Sequence, residues 1–340
     1  MTRVLVTGGT GFVAGHVIDV LLKRGHSVVT TVRSQEKAQS VRDVFGGVGQ
    51  QSLDFAIVPD IAAKDAFQGL NVHGLEAAIH VASPFHYNAT DPKKDFINPA
   101  VLGTTAALEA LHQTCPTVRR VVVTSSFAAM QNPKLASAGV EKTYTEADWS
   151  PLTLEDAYSN IALAYATSKV CAERAAWDFV AQNKPNFSLT TINPPMIYGP
   201  VMYPVKSLDS VNTSNQLLAN IISGKHKNGL PPTARPLWVD VRDVALAHVK
   251  AIEVDKAAGK RFFVTAGHWS NENMYRVLFD NFPELRDRLP DEADKGGRPI
   301  PSLKSFGYDT TQATTILGLE WTPSEKTIID SAKSLLKSAP

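Results

Sequence analysis

Short, almost wholly apolar runs recur along the first half of the chain: Val4-Leu5-Val6, Ser27 to Val32, Ala77 to Val81 and Arg120 to Thr124. A strand that is apolar on both faces must be covered on both faces, as in a parallel sheet whose crossover helices pack above and below it. Between the first two runs Val13, Val17, Val20 and Leu21 return at helical spacing, and Gly25-His26 supplies the stop. The pattern is a βαβ unit. Leu53 to Val58 adds another strand and Phe187 to Ile192 a later one, so the chain predicts an α/β fold with a doubly wound parallel sheet.

After Asn193 the alternation thins. Pro194, Pro195, Pro200, Pro204, Pro231, Pro232 and Pro236 punctuate the chain, and proline interrupts helices and central strands alike. A second, smaller lobe is expected here. Leu237 to Val241 reads as a strand, and Val244, Ala245, Val249 and Ile252 as a helix, that return to the main sheet, which makes the C-terminal lobe discontinuous. The predicted organisation is a sheet domain over 1–193 with a return segment at about 237–254, and a mainly substrate-binding lobe over 194–340.

A chain of 340 residues can bury cores for both lobes. Its 34 lysines and arginines against 33 acidic residues leave a net charge of +1, which provides no field for collecting nucleic acid or an anionic membrane. A small-molecule partner is expected. Cys115 and Cys171 lack metal-ligand spacing and are too few for a disulfide framework; they suit a reducing compartment, so the expected setting is cytoplasmic. The amino terminus enters Arg3-Val4-Leu5-Val6-Thr7 without the marks of a secretion signal, and no apolar run approaches the roughly 20 residues that span a bilayer. The nine histidines are scattered, and His80, inside a buried strand, reads as a core histidine rather than a metal ligand. No metal site is expected.

Thr7-Gly8-Gly9-Thr10-Gly11-Phe12-Val13-Ala14 lies between the first strand and the first helix and reads G-x-x-G-x-x-A on Gly8, Gly11 and Ala14. In that context a tight glycine turn brings backbone N–H groups to a pyrophosphate at a helix N-terminus, whereas outside it the same glycines make an ordinary flexible turn. The 1–193 domain is therefore read as a dinucleotide-binding Rossmann domain. At the end of the second strand stands Thr31-Val32-Arg33-Ser34, with no acidic residue. A carboxylate there would bind the ribose 2′-hydroxyl of NAD, while an arginine pairs with the 2′-phosphate of NADP(H). Arg33 selects NADP(H); Lys37 is either a second cation for the same phosphate or a solvated surface charge.

Tyr165-Ala166-Thr167-Ser168-Lys169 falls in a run of helix formers from Asn160 to Asn183, which puts Tyr165 and Lys169 on one helix face. A phenol, with an ordinary pKa of about 10, exchanges protons near neutrality only when something stabilises its anion, and an adjacent ammonium does so. The Tyr-x-x-x-Lys string is common by chance and gains meaning from Thr124-Ser125-Ser126-Phe127 at the carboxyl end of a central strand, where open α/β sheets bind ligands. A serine hydroxyl there can donate to a carbonyl oxygen. Ser125 reads as a strand-end cap.

With these motifs in order, the chain resembles the extended short-chain dehydrogenase/reductases, and within them the fungal methylglyoxal/aldehyde reductases and plant dihydroflavonol reductases. The resemblance also takes in Asp60-Ile61, Val81-Ala82-Ser83-Pro84, Asn193-Pro194-Pro195 through Tyr198-Gly199-Pro200, and Val241-Arg242-Asp243-Val244-Ala245. It implies that Ser126 polarises a carbonyl, Tyr165 delivers the proton, and Lys169 binds the nicotinamide ribose and favours the tyrosinate. It further implies cofactor contacts from Thr7, Gly8, Thr10, Gly11, Phe12 and Val13, from Ile61, Ser83, Pro84 and Thr124, and from Asp60 to the adenine amino group. Ala82 would line the cofactor groove, and Pro195 and Ile197 would hold the nicotinamide. Asp60 also suits a helix N-cap. Leu102-Gly103-Thr104 departs from the pattern, because many members carry asparagine where Leu102 stands, and nearby Asn98 is not assumed to replace it. Members of the group are monomers or homodimers.

Phe85, Phe127, Tyr198, Tyr203 and Trp238 fall beside the motifs or in the second lobe and predict an aromatic substrate pocket, although each also suits a core. The expected activity is NADPH-dependent reduction of hydrophobic aldehydes, ketones, diketones or ketoesters to alcohols. The alternatives are a flavonoid- or cinnamoyl-type reductase, a sugar-nucleotide epimerase-like enzyme and a non-catalytic NADP(H)-sensing protein.

Overall fold

The computed structural model describes residues 1–46, 52–63, 65–67, 72–83, 91–138, 140–291 and 306–338. Pro84 and Phe85 lie outside the described residues. In chain order the first half comprises β1 (Arg3–Val6), α1 (Phe12–Lys23), β2 (Ser27–Val32), α2 (Gln35–Phe45), β3 (Leu53–Ile57), β4 (Ala77–His80), α3 (Asn98–Thr114) and β5 (Arg120–Thr124). It continues through α4 (Pro133–Ser137), β6 (Lys142–Tyr144), α5 (Ile161–Asn183), β7 (Ser188–Asn193) and β8 (Met196–Tyr198). Then come α6 (Gln216–Ile222), β9 (Leu237–Asp240), α7 (Val241–Glu253), β10 (Arg261–Phe263) and β11 (Gly267–His268). Last are α8 (Asn271–Asn281), β12 (Phe306–Tyr308), α9 (Thr311–Leu317) and α10 (Ser324–Ser338).

Seven strands form one sheet in the order β3-β2-β1-β4-β5-β7-β10, and every pairing in it is parallel. Each strand sorts its side chains by its two-residue period. Val4, Val6, Val28, Val32 and Val122 face a core shared with α1 and α7, while Leu5, Val29, Val121, Val123 and Leu189 face one shared with α3 and α5. This two-sided burial is what the unbroken apolar runs encode. The strand order reverses between β1 and β4, so the crevice at the carboxyl ends of β1, β4, β5 and β7 is the site such a sheet prepares for a ligand.

The return of the chain to this sheet differs from the expectation. Leu237–Asp240 does not join it; it pairs in parallel with β8 and antiparallel with β11 in a separate three-stranded sheet. Along β9 Val239 faces the α1–α7 core while Trp238 points into the second lobe, so the strand bridges the two. Helix α7 comes back against α1, and the seventh strand of the main sheet is β10. The second lobe packs α6, α8 and α10 around Leu218, Ile221, Met274, Leu278, Ile328 and Leu335. Among the described residues no helix is long and apolar enough to cross a membrane.

Candidate active site

The glycine turn is fixed from below by Thr7. Its buried hydroxyl oxygen accepts from the N–H groups of Val81 (3.1 Å) and Ala82 (3.0 Å), which leaves its proton for Nδ1 of His80 at 3.0 Å. His80 is thereby held as the neutral tautomer with hydrogen on Nε2. Burial, and then the charge of Lys169, lower its pKa to about 4. Thr7 thus acts as an anchor for the loop. Gly8 has a φ of +77°, and its N–H donates to Thr31 Oγ1 at 2.9 Å. A Cβ at Gly8 would stand 3.0 Å from the Cβ of Ala82, and one at Gly9 2.3 Å from Thr30 Oγ1, so neither position admits a side chain. Gly11 N-caps α1 without a side-chain bond, so the first-turn N–H groups of Phe12, Val13 and Ala14 receive no cap from it. Thr10 and Gly11 are exposed at that end. The arrangement fits the pyrophosphate of a dinucleotide.

Arg33 follows β2 directly and is exposed, as is Lys37 in the first turn of α2; among the described residues neither is held in an ion pair. Both suit a 2′-phosphate. Asp60 is exposed and accepts from Ala62 N–H at 2.9 Å in a turn, so its local role is turn formation rather than helix capping. Ile61 packs against the α3–α5 core, close to Gly103.

Helix α5 is started by Asn160, whose side chain accepts from Leu163 N–H at 2.9 Å, and it ends at Lys184, whose φ of 46° is left-handed. Lys169 is buried, its Nζ lies 5.8 Å from the centroid of the Tyr165 ring, and it donates to Ser83 Oγ at 3.2 Å. Ser126 begins the short turn Phe127–Ala129, which packs on α5. Its Oγ accepts from Ala128 N–H at 3.1 Å, an arrangement that leaves the hydroxyl proton to donate. The neighbouring Ser125 is buried and gives its proton to Glu173 instead. The paired serines therefore point to different duties. Thr124 is a floor residue: it bonds His248 Nε2 at 2.7 Å, and because His248 Nδ1 must donate to the Val244 carbonyl at 2.7 Å, Nε2 accepts from Thr124. Pro195 and Ile197 stand half-buried after the end of β7.

The aromatics expected at the substrate pocket are found in packed surroundings. Phe127 stacks on Phe263 with centroids 4.9 Å apart, inside a cluster with Tyr144 and Phe306. Tyr198 lies 4.2 Å from Trp269 and Trp238 6.2 Å from the same ring, all three in the second-lobe core, where burial raises the Tyr198 phenol above its ordinary pKa. Tyr203 turns the other way and donates to the Gly9 carbonyl at 2.5 Å, bracing the glycine turn. Four of the five aromatics thus pack in a core or brace the cofactor loop; for Tyr198 and Trp238 this follows from the alternation along β8 and β9, which sends neighbouring side chains to opposite faces. Sequence reasoning also missed Tyr203 as a loop brace, His248 as the partner of Thr124, and Glu173.

Comparison with known proteins identifies the family. Residues 4–265 match the NAD dependent epimerase/dehydratase family. The chain is 38% identical over 340 residues to a ketoreductase of Aspergillus niger, covering 99% of this chain and 98% of the relative. It is 33% identical over 345 residues to the NADPH-dependent methylglyoxal reductase of Saccharomyces cerevisiae, covering 98% of each. The crystal structure of Gre2 from Candida albicans in complex with NADPH superposes with a TM-score of 0.90 at 33% identity, over 100% of both chains. This chain belongs to the NAD dependent epimerase/dehydratase family, on its extended short-chain dehydrogenase/reductase branch.

Proposed function

We propose that the chain is an NADPH-dependent carbonyl reductase that converts aldehydes and ketones to alcohols through Ser126, Tyr165 and Lys169. The observation that carries this reading is the division of labour between hydroxyls at the end of β5. Ser126 keeps a proton to donate beside α5, and on α5 Lys169 is buried one turn beyond Tyr165. The bound dinucleotide supplies the hydride. Ser126 holds the substrate oxygen by donating to it, which polarises the carbonyl and selects the oxygen as the site of protonation. As negative charge grows there, Tyr165 transfers its phenolic proton to that oxygen and is left as a tyrosinate. The Lys169 ammonium, held by Ser83, stabilises this anion by its charge, and solvent restores the proton. Gly8, Gly9 and the start of α1 hold the pyrophosphate, and Arg33 and Lys37 favour the 2′-phosphate.

The test is Tyr165→Phe, followed by NADPH absorbance on a panel of aliphatic and aryl aldehydes, diketones and ketoesters. Turnover is expected to fall by about a thousandfold or more, the scale of removing a positioned acid, while NADPH binding measured by fluorescence titration stays near wild type. Wild-type turnover in this variant would overturn the assignment.

A further inference from the structure

One turn beyond Lys169 and two beyond Tyr165, on the same face of α5, the carboxylate of Glu173 is fully buried. Its Oε1 accepts from Arg261 Nε at 2.6 Å and from Thr191 Oγ1 at 3.0 Å; its Oε2 accepts from Asn193 Nδ2 at 2.7 Å and from Ser125 Oγ at 2.5 Å. These donors come from β7, from β10 and from the residue that follows β5, so they gather separate parts of the sheet on one carboxylate of the helix. The second hydrogen on Asn193 Nδ2 reaches the backbone carbonyl of Ser126 at 3.3 Å, so one amide ties the candidate carbonyl-binding serine to the Glu173 carboxylate. Arg261 is locked in turn: its Nη1 donates to the carbonyls of Glu146 and Asp148, both at 2.6 Å, and its guanidinium lies 3.9 Å over the ring of Trp149.

A buried ion pair is a poor source of stability compared with an apolar pair of the same volume, but its bonds have directions and fixed lengths. We infer that Glu173 is a positioning residue for carbonyl reduction: paired with Arg261, its charge sets the offset between Ser126 at the end of β5 and Tyr165 with Lys169 on α5. The inference rests on the Ser126–Tyr165–Lys169 reading. A substrate oxygen must come within hydrogen-bond reach of the Ser126 and Tyr165 hydroxyls together, and a misplacement of about 1 Å at such a site costs on the order of a hundredfold in rate. The Glu173 carboxylate is fully enclosed by protein donors and acts through Ser125, Asn193 and its own helix.

The experiment measures Glu173→Gln, Ser125→Ala and their double variant beside Tyr165→Phe, using the full chain, NADPH and one aliphatic aldehyde. Glu173→Gln keeps the side-chain volume and removes the charge. Its kcat is expected to fall on the order of a hundredfold with KM and the NADPH dissociation constant within about threefold of wild type, because only transition-state geometry is lost. Ser125→Ala removes a single bond and is expected to lower kcat about three- to tenfold, and its effect is expected to be less than additive in the Glu173→Gln background, because the two residues belong to one network. A folded Glu173→Gln protein with a lowered melting temperature and unchanged kcat overturns the inference and leaves the carboxylate a structural role. If Glu173→Gln does not fold, Ser125→Ala decides: unchanged kcat overturns the inference, and a fall in kcat at constant KM supports it. Tyr165→Phe separates the two readings. If that variant keeps its turnover, the catalytic assignment fails; if it is inactive while Glu173→Gln and Ser125→Ala are unimpaired, only the positioning role fails.

Discussion

Glu173 and Asp240 are both buried carboxylates paired with arginine, and they do different work. Glu173 takes its arginine from a strand 88 positions away and gathers donors from several strands beneath the catalytic helix. Asp240 takes its arginine from two positions away: Arg242 Nε and Nη2 donate to it at 2.9 and 2.7 Å, and Thr327 Oγ1 adds a bond at 2.6 Å from α10. Arg242 then reaches Asp330 on the same helix. The first network aims reactive groups from separate elements at one point; the second fastens α10 to the junction of β9 and α7. Their surroundings differ as well. The Arg261 side chain is 10% exposed, whereas that of Arg242 is 31% exposed and keeps access to water.

Breaking the enclosed pair should have the larger effect. Arg261→Met leaves Glu173 buried without its counter-charge and is expected to cost about 3–5 kcal/mol in urea unfolding, with turnover falling alongside. Asp240→Asn should cost less, about 1–3 kcal/mol, since Arg242 retains Asp330 and solvent, and kcat per folded molecule should stay at the wild-type value. A fall in kcat as deep as that of the Glu173 variant would erase the distinction between aiming and fastening.

The smallest effect sharpens the account of the fastening network. Asp243 accepts from Thr322 N–H at 2.8 Å and from Thr322 Oγ1 at 2.7 Å, holding the approach to α10. Burial raises its pKa to about 6 against the lowering effect of those two bonds; the charge of Asp240 raises it further and that of Arg242 opposes the rise. A folded pKa above the ordinary carboxylate value of about 4 means that the folded state holds the proton more tightly. The contribution of Asp243 is then fullest below about pH 4 and is lost as the pH rises through about 6. Asp243→Asn should flatten the dependence of the unfolding free energy on pH between those values, by about 3 kcal/mol at most. An unchanged slope would mean that another group controls it.

What could be read from the sequence was the part in which cause and effect lie close together. The main strands announce themselves because burial on two faces leaves few polar positions, and the glycine turn and the Tyr165–Lys169 pair each fit within a few residues. β10 escaped notice because three residues at a sheet edge carry almost no periodic signal. The packing of the aromatics near the motifs was not legible because residue type does not say which face of a short strand a ring takes: Trp238 and Val239 are adjacent and enter different cores. Glu173 was invisible for another reason. A glutamate in a run of helix formers looks like a solvated charge until folding delivers Arg261 and Asn193 to it.

The three-way bond of Thr7 bears on how the site senses acidity. With its Nδ1 taken by Thr7, and with burial and the charge of Lys169 lowering its pKa to about 4, His80 is held in its uncharged form near neutral pH. Lys169 therefore has beside it an imidazole that is electrically silent. Activity lost on mild acidification, between pH 7 and 6, is then expected to originate at groups other than His80, because burial disfavours the charged imidazole that usually brings a titration to an active site.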